Sequence, residues 1–243
     1  MLSSSTVAAG TSLLGLPVLG EAEASAPGRR LKIVVCGAHP DDPESAAGGT
    51  MARYADAGYE VIALYLTRGE AGIRRKSHEQ AAAIRTAEAQ NACKILGARP
   101  VFAGQIDGGT EINAARYDEF SKLLLGEKPD VVFTHWPVDT HRDHRIASLL
   151  TYDAFLVSGR SFALYYFEVM TGTQTQSFRP THYVDITQTE QRKRAACFAH
   201  ASQDPPHFYD LHTLMSAFRG QEHGCKQAEA FVHHDQAPPG PLP

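Results

Sequence analysis

With 243 residues, 43% of them hydrophobic, and a net charge of −4, the chain has material for one large α/β domain with a substantial core, not for two independent ones. The charge balance and the lack of a basic run argue against nucleic acid as a partner. Four cysteines without a CxxC pair indicate neither a zinc knuckle nor a disulfide scaffold but free, mostly buried thiols; the twelve histidines are the more telling feature.

Residues 1–30 read as a leader outside the fold. The apolar stretch Val7 to Gly20 is too short to span a bilayer, and no other segment reads as transmembrane. Ala24-Ser25-Ala26 before Pro27 resembles the cleavage site of an export signal, which favours an exported or periplasmic location over a cytoplasmic one. A basic segment before the apolar run is missing, so a working signal needs residues upstream of Met1; the alternative is a low-complexity leader.

From Leu31 to about residue 235 strands and helices alternate, the pattern of a Rossmann-like α/β three-layer sandwich with a mostly parallel sheet and helices on both faces. Leu31 to Cys36 is a buried parallel strand, Glu44 to Ala57 a helix ending at Gly58, and Val61 to Leu66 a second strand. Ser77-His78-Glu79-Gln80 is a capping box for a helix that runs to Leu96, with Gly97 just past its end. A strand over Pro100 to Phe102, a helix over Ala114 to Leu125 behind the cap Asn113, and a strand over Asp130 to Thr134 follow. A helix over Ile146 to Val157 and strands over Ala163 to Glu168 and Thr181 to Ile186 come next. Thr187-Gln188-Thr189-Glu190 repeats the capping-box pattern, starting a helix that ends near His200. Residues 236–243 form a Pro-rich tail with no helix or strand.

The chemistry gathers in two clusters. His39, Asp41, Asp42 and Glu44 follow the first strand, and carboxylates so close repel one another unless something positive sits among them; a divalent metal meets that need. About a hundred residues later His135 to His144 follows another strand. In a sheet of order 3-2-1-4-5, strands 1 and 4 flank the switch point, so the two clusters are expected to share one crevice.

The pair AHPDDPE and HRDH resembles the signature of the LmbE-like, PIG-L-type family of zinc-dependent de-N-acetylases, which act on substrates containing N-acetylglucosamine. TRGE at Thr67 to Glu70, IRTAE at Ile84 to Glu88, IDG at Ile106 to Gly108, VDIT at Val184 to Thr187, HASQ at His200 to Gln203 and AEAF at Ala228 to Phe231 continue the resemblance in the same order. It implies a zinc-dependent hydrolase that removes the acetyl group from an N-acetylglucosamine-type amino sugar or its conjugate. The substrate partner is thus a small amino sugar or glycoconjugate, and relatives of this kind often form trimers or hexamers.

The resemblance places the metal ligands on His39, Asp42 and His144, and the residues agree, since His39 and Asp42 leave one tight turn and a catalytic zinc takes three protein ligands. Such ligands also suit other divalent first-row metals. By resemblance Asp41 is the general base, and its carboxylate is the one left free beside the metal. His141 has, by resemblance, the role of a protonated imidazole that steadies the oxyanion and protonates the leaving amine; a fourth ligand or a surface histidine are its other readings. Asp143 is expected to orient one of the flanking histidines.

Arg85 and Asp107 are, by resemblance, contacts to sugar hydroxyls, Arg68 is a further candidate, and the family pattern turns His200 into the site. Each has a plain alternative: Arg85 pairing with Glu88 along a helix, or His200 favoured by a helix C-terminus. Tyr166 and Glu168, at an aromatic strand end, stack on sugar or pack in the core. The other histidines, His212 among them, are taken as surface or core residues. Two readings compete with deacetylation: a zinc amidase acting on a larger amino-sugar conjugate, and a non-catalytic sugar-binding domain. A dinucleotide binder would carry GxGxxG after the first strand, where this chain has GAHPDDPE.

Overall fold

A computed structural model describes residues 30–243; the leader proposed for residues 1–30 lies outside the described residues except for Arg30. Seven strands form one sheet: β1 Lys32–Gly37, β2 Glu60–Thr67, β3 Arg99–Gln105, β4 Val131–His135, β5 Ala163–Phe167, β6 His182–Asp185 and β7 Ala228–His233. Their order is β3-β2-β1-β4-β5-β7-β6. The first five are parallel, as expected, and β7 runs antiparallel to both β5 and β6.

The strand pattern explains the two helical layers. In β1, Ile33 and Val35 point to one face and Val34 and Cys36 to the other, so a continuous apolar run serves two cores. The helices α1 Asp42–Asp56, α2 His78–Leu96 and α5 Glu190–Phe198 cover the first face through Met51, Cys93, Leu96 and Ala196. On the second face α3 Ala114–Gly126 and α4 Arg142–Val157 bury Phe120, Leu124, Leu150 and Phe155. The caps read from the sequence form: Ser77 accepts from the Gln80 amide, Asn113 accepts from the Arg116 amide, and Gly97 ends α2 at φ 75°.

Several boundaries differ from expectation. Helix α4 starts at Arg142 rather than Ile146, which puts Asp143 and His144 on its first turn instead of in a loop. Thr187 does not cap α5: its hydroxyl accepts from the Gln227 amide, while Thr189, at the N-cap, donates to the carbonyl of Gly49 in α1. The helix α6 Pro205–His223 and strand β7 were not anticipated. The buried positions of α6 include His212, Ser216, Arg219 and Gly220, whereas Phe208, Leu214 and Phe218 are exposed, so its apolar pattern does not mark a core-facing stripe.

β7 also supplies a buried tie. Helix α1 is kinked at Ala47, and Glu229 of β7 caps its second half, accepting from the amides of Gly49 at 2.9 Å and Thr50 at 2.7 Å. Lys193 of α5 balances the carboxylate at 2.7 Å, with both side chains buried. The close seat needs a glycine, since a Cβ at Gly49 would come within 2.6 Å of the Ile186 methyl group. The C-terminal residues carry no helix or strand, but Tyr54 and Tyr165 donate to the carbonyls of Pro241 and Gly240 and fix them against the sheet.

Candidate active site

β1 and β4 are neighbours, and their C-terminal ends bring the two clusters together beside one cavity of about 520 Å³. The turn after β1 is short: the His39 carbonyl accepts from the Asp42 amide, and the Asp42 carboxylate accepts from the His39 amide at 2.7 Å. Asp42 is the first residue of α1 and His144 the third of α4, so each side chain is set by a first helical turn.

His39, Asp42 and His144 converge as expected. The Asp42 carboxylate lies 3.3 Å from Nδ1 of His39 and 3.3 Å from Nε2 of His144. The far nitrogens face other acids: Nε2 of His39 is 3.2 Å from both Asp107 and Asp143, and Nδ1 of His144 is 3.2 Å from Asp139. Those carboxylates hold protons on the far nitrogens and turn lone pairs toward Asp42, a donor set that a cation completes. Burial alone would lower the His39 pKa, yet Asp107, Asp143 and Asp42 lift it well above its usual value. Burial likewise works against charge on His144, but Asp42 and Asp139 bring its pKa to about 9. The site thus attracts positive charge, and protons and a metal compete for the same lone pairs. Among the described residues, the groups whose ligand atoms lie within 4.8 Å of one another are His39, His141 and His144; Asp42, His135 and His144; and His39, Asp107 and Asp143, so each expected ligand belongs to at least one such group.

Asp143 is expected to orient a flanking histidine; instead its carboxylate faces Nε2 of His39, from the first cluster, and is itself held by the Gly108 amide and the Thr110 hydroxyl. Two residues of the second cluster had no assigned role. Asp139 accepts from the His141 amide at 2.7 Å and from the Thr175 hydroxyl at 2.9 Å, and so fixes His144 from behind. His135, at the end of β4, stacks on His144 with ring centroids 4.1 Å apart. Burial and His144 lower its pKa to about 4, so the neutral ring accepts from the Ala38 amide. Its position directly after an apolar strand, in register with the end of β1, was the signal available.

Asp41 stands apart from this group. It occupies the N-cap of α1 at φ 112°, a sparsely populated region for a residue with a Cβ. Its amide donates to Glu44, and its carboxylate, a third exposed to the cavity, pairs with Arg85 at 3.0 Å. Burial raises its pKa, against the opposing pull of the Arg85 guanidinium. Arg85 also donates to the Pro40 carbonyl, and its guanidinium lies against Gly69 and Gly72, where a Cβ would overlap it. Its partner is therefore Asp41 and not Glu88, which instead accepts from the amide and hydroxyl of Ser202.

Glu44, fully buried, supports Asp41 from below. It accepts from the Tyr65 hydroxyl at 2.5 Å and lies 3.1 Å from Nε2 of His200, which also lines the cavity. His141 is the N-cap of α4, with Nδ1 accepting from the Asp143 amide. Burial and the neighbouring His39 and His144 lower its pKa, and with Nδ1 accepting, the proton of a neutral ring would sit on Nε2.

The remaining expected contacts divide. Asp107 lines the cavity but is engaged with His39 and the Ala71 amide. Arg68 is half exposed and pairs with Glu70, outside the cavity lining. Tyr166 packs in the second core against Trp136 and does not line the cavity, and Glu168 is held in a two-pronged pair with Arg219 of α6. Neither Tyr166 nor Glu168 is among the residues that line this cavity.

The family model of GlcNAc-PI de-N-acetylases, PIG-L, matches residues 34–155, half of the chain, and spans both clusters. The chain belongs to the PIG-L family. It is accordingly an enzyme of the deacetylase class. A diacetylchitobiose deacetylase of Thermococcus kodakarensis is 29% identical over 225 residues, covering 82% of each chain. A 4-oxalmesaconate hydratase of Pseudomonas putida is 27% identical over 206 residues, covering 77% of this chain and 79% of its own. Among solved structures, the N,N′-diacetylchitobiose deacetylase from Pyrococcus horikoshii superposes with a TM-score of 0.73 at 25% identity, over 84% of this chain and 83% of that one.

Proposed function

We propose that this PIG-L member hydrolyses the acetamide of an N-acetylglucosamine-type amino sugar or its conjugate, releasing acetate and a free amine. Zinc, or another divalent first-row metal, would be held by His39, Asp42 and His144. The observation that carries the reading is the separation of two adjacent carboxylates: Asp42 faces three imidazoles, those of His39, His135 and His144, while Asp41 is paired with Arg85 at the cavity. A binding module has no need of an ionisable group placed beside a metal-ligand set.

When bound, the metal supplies Lewis acidity toward the acetamide carbonyl and the attacking water. Asp41 accepts the proton of that water and passes it to the departing nitrogen, so the amine leaves neutral and the carboxylate is regenerated. Arg85 and the Asp41–Glu44 contact hold the base in place through both transfers. His141, donating from Nε2, faces the oxygen on which negative charge develops.

The test measures acetate release from N-acetylglucosamine, diacetylchitobiose and an N-acetylglucosaminyl lipid, after chelation and again with zinc restored. Zinc-restored release from any of them supports the reading. No release from any, with metal bound, would overturn it in favour of a larger-conjugate amidase or of the water addition that names the hydratase relative.

A further inference from the structure

Beside the main cavity lies a second, much smaller one of about 20 Å³, lined by Ser45 of α1, Lys193 of α5, His212 and Ser216 of α6, and Glu229 of β7 among others. Its size suits one water molecule, and its lining offers that water several polar partners. The two cavities share a partition. His212 and Ser45 line both, whereas Lys193 lines only the small one and Asp42 only the large one.

The two partition residues differ in their commitments. The Ser45 hydroxyl donates to the Asp42 carbonyl. His212 is 9% exposed, and its ring nitrogens have no hydrogen-bond partner among the described residues. Two buried ring nitrogens without partners are costly. Each therefore faces a partner that the fold does not itself supply: water on the side of the small cavity, a ligand on the side of the large one.

Lys193 sets which nitrogen carries the proton. Its buried ammonium has three hydrogens, and one of them goes to Glu229 at 2.7 Å. A water in the small cavity accepts a second and so turns its own hydrogens outward, one to a lone pair of His212 and one to the Glu229 carboxylate. The opposite tautomer would aim an N–H toward the ammonium. Charge favours the same arrangement. Burial and Lys193 lower the His212 pKa to about 4, against the pull of Asp42, so the ring is neutral at pH 7 with a cation on the small-cavity side and a carboxylate on the other.

We infer that His212 is a hydrogen-bond donor to the substrate, kept in one tautomer by Lys193 through a water in the small cavity. The inference rests on the proposed deacetylation for the identity of the bound oxygen. In that reaction the acetamide carbonyl is met from the metal-ligand side and by His141, so the acceptor left for His212 is an oxygen of the sugar. His212 then fixes the orientation of the sugar, from a helix that lies outside the family match at residues 34–155.

The test uses the full, zinc-loaded chain with isotope-labelled histidine, and His212→Phe assigns the His212 ring signals by removing them. Nitrogen NMR is expected to show a single neutral tautomer of His212 at pH 7, with its N–H signal shifted by glucosamine, the product amine. Lys193→Met is expected to mix the two tautomers. Where that chain does not fold, Ala230→Val is expected to do the same by adding two methyl groups to the wall of the small cavity. With diacetylchitobiose as substrate, His212→Phe is expected to raise KM roughly 2–10-fold, the range for one hydrogen bond, with kcat nearly unchanged. A tautomer mixture in the parent chain, or a single tautomer that neither substitution alters, would overturn the link to Lys193. An unchanged KM would overturn the sugar contact, and so would a fall in kcat alone, which would place the donor at the developing oxyanion. If no N-acetyl sugar is turned over, a single Lys193-dependent tautomer whose N–H signal still moves with glucosamine would support the inference and overturn only the reaction assignment.

Discussion

Asp139→Asn isolates the contribution of a charge behind the metal-ligand set. The Asp139 oxygen that faces His144 at 3.2 Å also accepts from the His141 amide at 2.7 Å, so the asparagine carbonyl must take that position. Its NH₂ group then faces the Thr175 hydroxyl, which can turn its single proton from Asp139 to the Val169 carbonyl and accept from the asparagine while still accepting from the Val169 amide. Every polar atom keeps a partner and one negative charge is lost. Removing such a partner from a metal-binding histidine lowers metal affinity about 10–100-fold, which is about 1.4–2.7 kcal/mol. Competition for zinc against a chromophoric chelator measures it, and urea unfolding in excess chelator should show nearly unchanged stability. Zinc affinity within twofold of the parent chain would refute the reasoning, because Asp139 would then be holding the loop and not the ligand.

Asp41→Ala should lower turnover by roughly 10²–10⁴-fold while one zinc remains bound, whereas His39→Ala should lose both; loss of zinc from Asp41→Ala, seen by metal analysis, would make Asp41 a ligand. Gly72→Ala puts a methyl group where the Arg85 guanidinium lies, so kcat should fall with zinc affinity retained; an unchanged kcat would separate Arg85 from the base. Lys193→Met leaves the buried Glu229 carboxylate with two backbone donors and no counter-charge. Urea denaturation should report a loss of about 3–5 kcal/mol, and a loss below about 1 kcal/mol would mean that the α1 amides alone sustain the charge.

The parallel half of the fold was legible because its signals are local. LKIVVC and DVVFT are apolar on both faces, and only a sheet covered on both sides buries such strands. Ser77 and Gly97 bracket α2 through contacts within one turn. The site residues that were missed act across distance. Asp139 meets His144 through a loop anchored on Thr175, 36 residues on, and Glu229 reaches Gly49 from 180 residues away. No spacing rule carries such pairs. Helix α6 escaped for a different reason: its inward face holds His212, Ser216 and Arg219 because it covers a cavity and the Glu168 carboxylate, so the apolar periodicity that marks a core helix is inverted.

The strain at Asp41 follows from what two neighbouring carboxylates are asked to do. If both Asp41 and Asp42 lay inside the helix, their side chains would stand about 100° apart around the axis and would repel one another near one ion. Placing Asp41 at the N-cap with positive φ turns its carboxylate to Arg85, while Asp42, one residue later, meets the imidazoles. A left-handed residue of this kind costs of order 1–3 kcal/mol, and the surroundings offset it. Glu44 takes the Asp41 amide, and Tyr65 of β2 and His200 beyond α5 converge on Glu44. The geometry of the base is therefore set by elements on the first core face, through a buried acid that touches no ligand of the metal. Ligand placement and base placement have separate supports, which is why substitutions can be expected to remove turnover and metal binding independently.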